Sequence, residues 1–183
     1  PGGQLWRQLI EAALKLPSIF MKPEPGRYYP NRELAAHVLG YVGTATRGLA
    51  GIELSYNSKI SGKPGTLLVA VDSHRRAFSR VEKPPVQGDT LELTIDAYLQ
   101  HIAERELEAG VAENRAVGGS VVIMDPRTGE ILAMANVPSV NPNAYKEYPR
   151  EQWMNPAVQG IYEPGSTFKI VTASAAMEEH VFT

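Results

Sequence analysis

The sequence predicts an α+β fold built from two consecutive units, and three observations carry that prediction. Runs with strand alternation and runs with helical spacing are interleaved along the chain. The stretch Lys83-Pro84-Pro85-Val86-Gln87-Gly88 breaks regular structure near the middle. Each side of that break has strand and helix signals of its own, so residues 1–85 and 86–183 read as separate domains.

In the first unit, residues 4–16 have helical spacing, with Leu5, Leu9, Ala12, Ala13 and Leu16 on one stripe and Pro17 as the stop. Residues 17–30 contain Pro17, Pro23, Pro25 and Pro30 and read as loop. Leu34 to Val42 is an apolar run, expected to be buried. Gly40, Gly43, Gly48 and Gly51 then punctuate the chain. Ile52 to Ile60 reads as helix ending before Gly62, with Glu53 as a structural ion-pair partner. Leu67 to Val71 and Ala77 to Val81 read as strands.

In the second unit, Thr90 to Ile95 alternates like a strand. Asp96 is a favoured N-cap for a helix running to about Glu108. Its predicted buried stripe is Leu99, Ile102, Ala103 and Leu107, with Gly110 as the C′ residue. Gly119 to Met124 and Glu130 to Asn136 are strand-like and flank the turn Asp125-Pro126-Arg127-Thr128-Gly129. Asp125 is read as a turn former, not a catalytic acid. Residues 137–160, with four prolines, read as a long ordered loop anchored by Trp153.

Composition excludes several function classes. Hydrophobic content of 43% and charged content of 21% suit a globular chain. A net charge of -2 indicates neither nucleic acid nor anionic membrane as a partner. The chain has no cysteine, which removes thiol catalysis and cysteine-based zinc sites. His37, His74, His101 and His180 are scattered without metal-ligand spacing, so each reads as an ordinary surface or helix residue. No apolar stretch approaches the roughly 20 residues that span a bilayer.

The chemistry is concentrated in Tyr162-Glu163-Pro164-Gly165-Ser166-Thr167-Phe168-Lys169. Helical residues three apart share a face, so a lysine amine at 169 can reach a serine oxygen at 166. That is the minimum equipment of a serine nucleophile that works without histidine. A lone Ser-x-x-Lys is unspecific, and the competing reading is that Ser166 simply caps a helix. The following run Phe-Lys-Ile-Val-Thr-Ala-Ser-Ala-Ala-Met is apolar around most of its circumference, which predicts a buried helix. A lysine near the start of such a helix is costly unless paired or neutral, and the neutral amine is the form that accepts a proton.

This octapeptide resembles the nucleophile motif of penicillin-binding proteins. Further segments are similar to the class B, monofunctional members, in the same order. They are Arg27-Tyr28-Tyr29-Pro30, the run Leu34 to Gly43, Gly48-Leu49-Ala50-Gly51-Ile52-Glu53, Leu93-Thr94-Ile95-Asp96, and the stretch Asp125 to Met134. The resemblance implies a pedestal (dimerisation-like) domain over 1–85. Residues 86–183 would be the N-terminal portion of a β-lactamase-like transpeptidase domain, an antiparallel sheet covered by helices, incomplete in this chain. It implies a serine D,D-transpeptidase with Ser166 as nucleophile and Lys169 as base, cross-linking peptidoglycan from D-Ala-D-Ala stem peptides and trapped by β-lactam antibiotics. It further implies no metal or organic cofactor, cell-wall synthesis proteins as pedestal partners, and an extracytoplasmic location through a membrane anchor that this chain does not contain.

The chain departs from the family pattern in three places. No Ser-x-Asn or Lys-Thr/Ser-Gly motif follows Lys169. No Arg-Gly-x-Ile-type motif precedes Arg27, and Ser73-His74-Arg75-Arg76 lacks the family's glycine turn. The expectation is an internal piece of a longer protein, inactive alone, whose hairpin and nucleophile helix lack packing partners. Two other readings stay open: a penicillin sensor or β-lactamase-like acyl-enzyme, and a non-catalytic scaffold module.

Overall fold

The computed structural model describes residues 26–43, 46–71 and 77–181. The predicted helix at 4–16, His74 and the Ser73–Arg76 turn lie outside the described residues. In chain order the elements are α1 (Ala36–Leu39), α2 (Gly51–Ser55), α3 (Asn57–Ile60), β1 (Thr66–Val71), β2 (Ala77–Lys83), α4 (Ala97–Glu113), β3 (Gly119–Met124), β4 (Ile131–Val137), α5 (Pro156–Gln159) and α6 (Lys169–Glu178). None of the described helices is long and apolar enough to cross a membrane.

The first unit is organised around close backbone crossings. Gly40 and Gly51 both have positive φ, and a Cβ on Gly40 would lie 2.0 Å from the Ala50 carbonyl oxygen. Only glycine fits such a crossing. Ala35, Ala36, His37 and Tyr41 are buried, as the run 34–42 predicts. The predicted helix 52–60 forms as α2 and α3, separated at Tyr56. β1 and β2 pair antiparallel, Thr66 opposite Lys83, with an irregularity at Ala70/Val71.

Glu53 is the ion-pair partner expected of it. Its carboxylate lies 2.7 Å from Arg27 Nε, accepts from Arg27 Nη2 at 3.1 Å and from the Tyr29 hydroxyl at 3.3 Å. A bidentate guanidinium pair plus a third donor satisfies a carboxylate that is 8% exposed.

In the second unit, β3 and β4 pair antiparallel, Val121 opposite Ala135, around the predicted turn. Asp125 Oδ1 accepts from Arg127 N–H at 2.8 Å and Gly129 takes φ 78°, so Asp125 is the turn former expected. One face of the hairpin packs on α4: Ala103, Ala133 and Ala135 form the core, with Leu99, Leu107, Val121 and Ile123 around it. The expectation that the hairpin lacks a partner is therefore corrected, because a helix on one face is enough support for two strands.

Two further expectations change. Thr90 to Ile95 is not a strand. Its burial alternates, but among the described residues its one hydrogen bond to β4 runs from Thr94 Oγ1 to the Ile131 carbonyl, with Asp96 N–H donating to Leu132 just beyond. The period of two was legible; a ladder needs a full row of backbone partners. α4 runs through Gly110 to Glu113, where Arg115 adopts φ 51° and the N–H of Ala116 donates to Val111. That is a Schellman ending with arginine where glycine is usual.

Candidate active site

Ser166 sits in a single 3-10 turn, Gly165–Phe168, directly before α6. Gly165 opens the turn with φ 52°. Thr167 closes it backward, its N–H and its hydroxyl both donating to the Pro164 carbonyl. The N–H of Lys169 donates to the carbonyls of Ser166 and Thr167. Three-residue hydrogen bonding of this kind eclipses side chains at i and i+3, so Ser166 and Lys169 stand on one side of the turn.

The helix begins at Lys169, not at Ser166, and no side chain caps it. The capping reading of Ser166 thus has no hydrogen bond behind it. Lys169 and the rest of α6 are not buried as expected. Ile170 is 72% exposed and Met177 67%. The sequence pattern registers the apolar surface of this helix correctly, but a pattern cannot name the element that covers it.

The route to this turn starts at the sheet. β4 leads into residues 138–159, where Asn141 accepts from Asn143 N–H and Asn155 accepts from Ala157 N–H, each asparagine preceding a proline. Tyr41, Tyr145 and Trp153 stack together, with ring centroids 4.3 to 5.7 Å apart. The Trp153 indole donates to the Tyr148 carbonyl at 3.1 Å. Trp153 is the anchor predicted for this loop.

Three polar clasps join this second unit to residues 29–37. Asn143 reads the backbone of Tyr29 with both ends of its amide, accepting at 3.0 Å and donating at 2.8 Å. Glu104 on α4 accepts from Ala35 N–H at 2.8 Å, at a residue with φ 52°. The His37 ring meets the Gln152 carbonyl at 2.9 Å. His37 is buried, whereas His101 and His180 are exposed. A cavity of about 630 Å³ lies between the same two parts of the chain, lined by His37, Leu49, Ile52, Trp153 and Val158 among others; Ser166 and Lys169 are not in its wall.

Sequence reasoning missed Gln100, Glu104, Asn136, Asn143 and Asn155. Gln100 had a signal: a polar residue on an apolar stripe. Asn155 had one too, an Asn-Pro helix start. Glu104 accepts from Gln100 Nε2 one turn away at 2.7 Å, but nothing local marks its bond to Ala35, which lies 69 positions away.

Comparison with known proteins agrees over most of the chain. The family model of the penicillin-binding protein dimerisation domain matches residues 5–93, and that of the penicillin-binding protein transpeptidase domain matches residues 119–183. The chain is 39% identical to the peptidoglycan D,D-transpeptidase FtsI of Escherichia coli over 169 residues, which is 92% of this chain and 29% of that protein. It is 36% identical to stage V sporulation protein D of Bacillus subtilis over 171 residues, 91% of this chain and 26% of that protein. The structure of penicillin-binding protein 3 of Mycobacterium tuberculosis in complex with aztreonam is similar with TM-score 0.68 and 32% identity, over 84% of this chain and 32% of that one. A chain of a peptidoglycan synthase complex is similar with TM-score 0.75 and 31% identity, over 98% of this chain and 37% of that one. The chain thus spans less than a third of the length of the curated relatives named here.

Proposed function

The chain belongs to the class B penicillin-binding proteins, and from that premise we propose that Ser166 is the nucleophile of a serine acyl transfer with Lys169 as its base. The observation that carries the reading is the 3-10 turn, which sets the two side chains three residues apart on one exposed surface. A substrate can reach them without any opening of the fold.

The chemistry follows from the residue types. Lys169 Nζ takes the proton of Ser166 Oγ as the oxygen attacks the carbonyl carbon between the two terminal D-alanines of a stem peptide. The tetrahedral oxyanion is met by the Ser166 backbone N–H, one of the early amides of a helical segment that lack a carbonyl partner. The proton passes to the leaving amine, the peptide C–N bond breaks, and D-alanine departs. An amine of a neighbouring stem then attacks the ester carbon and restores Ser166. A β-lactam presents the same carbonyl in a ring, so its leaving group stays attached and the ester persists. The family pattern supplies a second oxyanion donor from a Lys-Thr/Ser-Gly strand that follows the nucleophile, and this chain holds no such motif after Lys169.

Within this reading residues 1–85 form the pedestal and 86–183 belong to the transpeptidase domain. The protein acts on the outer side of the bacterial cell membrane and meets other cell-wall synthesis proteins through its pedestal. The direct test is release of D-alanine from a stem-peptide substrate by the intact protein. Ser166→Ala and Lys169→Met, which keeps bulk and removes the base, should each abolish it. Near-normal release by Lys169→Met would leave Lys169 a structural role only.

A further inference from the structure

Before it reaches Ser166, the chain last makes a side-chain hydrogen bond to the β-sheet at a pair of buried asparagines. Asn136 stands on β4 at 3% exposure and Asn155 caps α5 at 9%. Asn136 Nδ2 donates to Asn155 Oδ1 at 3.0 Å, and Ser120 Oγ on β3 donates to Asn136 Oδ1 at 2.7 Å. Asn155 Oδ1 also accepts from Ala157 N–H, and the Asn155 N–H donates to Gln159 Oε1 at 2.8 Å. One asparagine therefore ties α5 to the sheet and closes α5 on itself. Hydrogen bonds fix direction as well as distance, which an apolar contact in the same place would not do.

Residues 160–169 are all exposed. Among the described residues, the hydrogen bonds of 160–168 reach only nearby chain: Gly160 N–H to Pro156, Thr167 to Pro164, and the Ser166 and Thr167 carbonyls to Lys169 N–H. The place and direction in which this segment leaves the fold are therefore inherited from α5, which packs against both β3 and β4.

We propose that Asn136 and Asn155 are positioning residues for acyl transfer at Ser166, their side-chain hydrogen bond setting where segment 160–166 departs from the sheet. The inference rests on the reading of Ser166 as nucleophile. It assigns the pair no contact with substrate. It holds that losing the bond lets Ser166 Oγ drift from the acyl carbon, and a misplacement of about 1 Å costs on the order of 100-fold in rate.

Two variants remove the bond from opposite sides. Asn155→Ser keeps an oxygen that can cap Ala157 N–H but is too short to reach Asn136. Asn136→Ala leaves the Asn155 cap whole. In the intact protein, the rate constant for acylation by a labelled penicillin, per folded molecule, should fall about 100-fold in each variant. The affinity of the preceding non-covalent complex should stay unchanged, and the double variant should fall no further than either single one. A purely structural role would lower stability without this split between affinity and rate.

A second measurement needs no activity. These 183 residues hold no cysteine; with any cysteine elsewhere in the intact protein replaced by serine, nitroxides at Ser166→Cys and Glu106→Cys report one distance, which should broaden or shift when Asn155→Ser is added. Acylation within about twofold of wild type in both variants overturns the proposal, and so does an unchanged distance distribution. Wild-type protein acylated away from Ser166 would instead sink the nucleophile assignment and this inference with it. Wild type labelled at Ser166 beside unaffected variants sinks the positioning role alone.

Discussion

Tyr29 concentrates the demands placed on single residues in this chain. Its backbone is held by Asn143, its ring is buried, and its hydroxyl donates to a carboxylate already paired with Arg27. Burial, and then the charge of Glu53 and the bond to it, push the phenol well above its ordinary value of 10.0. Burial raises Tyr41 as well. Raised pKa values keep these phenols protonated when the unfolded chain would ionise them. The stability they contribute is full below about pH 10 and declines as pH rises beyond it. The denaturation midpoint should therefore fall as pH rises above about 10, and Tyr29→Phe should flatten that fall; an unchanged slope would show that Tyr29 is not responsible. Asn143→Ala leaves the Tyr29 N–H without its partner and the Tyr29 carbonyl with the Arg32 N–H alone, and should cost about 1 to 3 kcal/mol in denaturant unfolding. A loss below about 0.5 kcal/mol would mean that water replaces the amide. The proposed Ser-x-x-Lys pair is legible from the sequence because its members are neighbours in the chain. The asparagine and glutamate contacts were not, because each acquires its meaning from a distant backbone.

The β3–β4 hairpin, its turn and the helix beside it were legible for a similar reason: strand period, turn chemistry and the Asp96 cap are all local. Asp96 Oδ1 accepts from the N–H groups of Tyr98 and Leu99, each at 2.9 Å. What sequence could not show is how the outer edge of β4 is covered. Gln100, wholly buried, bonds both the N–H and the carbonyl of Met134, at 2.8 and 2.9 Å, and so takes the place of a further strand. An open edge is otherwise a liability. Gln100→Ala should destabilise by about 2 to 4 kcal/mol, since two backbone groups lose their partner. The end of α4 was misjudged because glycine is the usual C′ residue and Gly110 stood near the expected stop. Here Gly110 is interior with open space around it, and Arg115 takes the left-handed position. Gly110→Ala and Arg115→Gly should each raise stability by about 0.5 to 1.5 kcal/mol. A loss in either, read from thermal unfolding, would contradict this account of the ending.

Across the whole molecule, the clasps at Asn143, Glu104 and His37 and the Tyr41–Tyr145–Trp153 stack make the first unit contact α4 and the loop before Ser166 at several places. α6 differs: its apolar residues Ile170, Val171 and Met177 face solvent. Amide exchange of the 183-residue chain should be slow in α4 and β4 and fast in α6. Protection of α6 equal to that of α4 in a monomer would show that α6 is held by contacts other than those described. The central claim is nevertheless a claim about one oxygen atom, Ser166 Oγ. It is tested most directly by incubating the intact protein with a labelled penicillin, digesting it, and locating the adduct by mass spectrometry. The account predicts a single ester on the peptide that contains Ser166 and its loss in Ser166→Ala. An adduct on any other residue, or labelling that survives in Ser166→Ala, would contradict it.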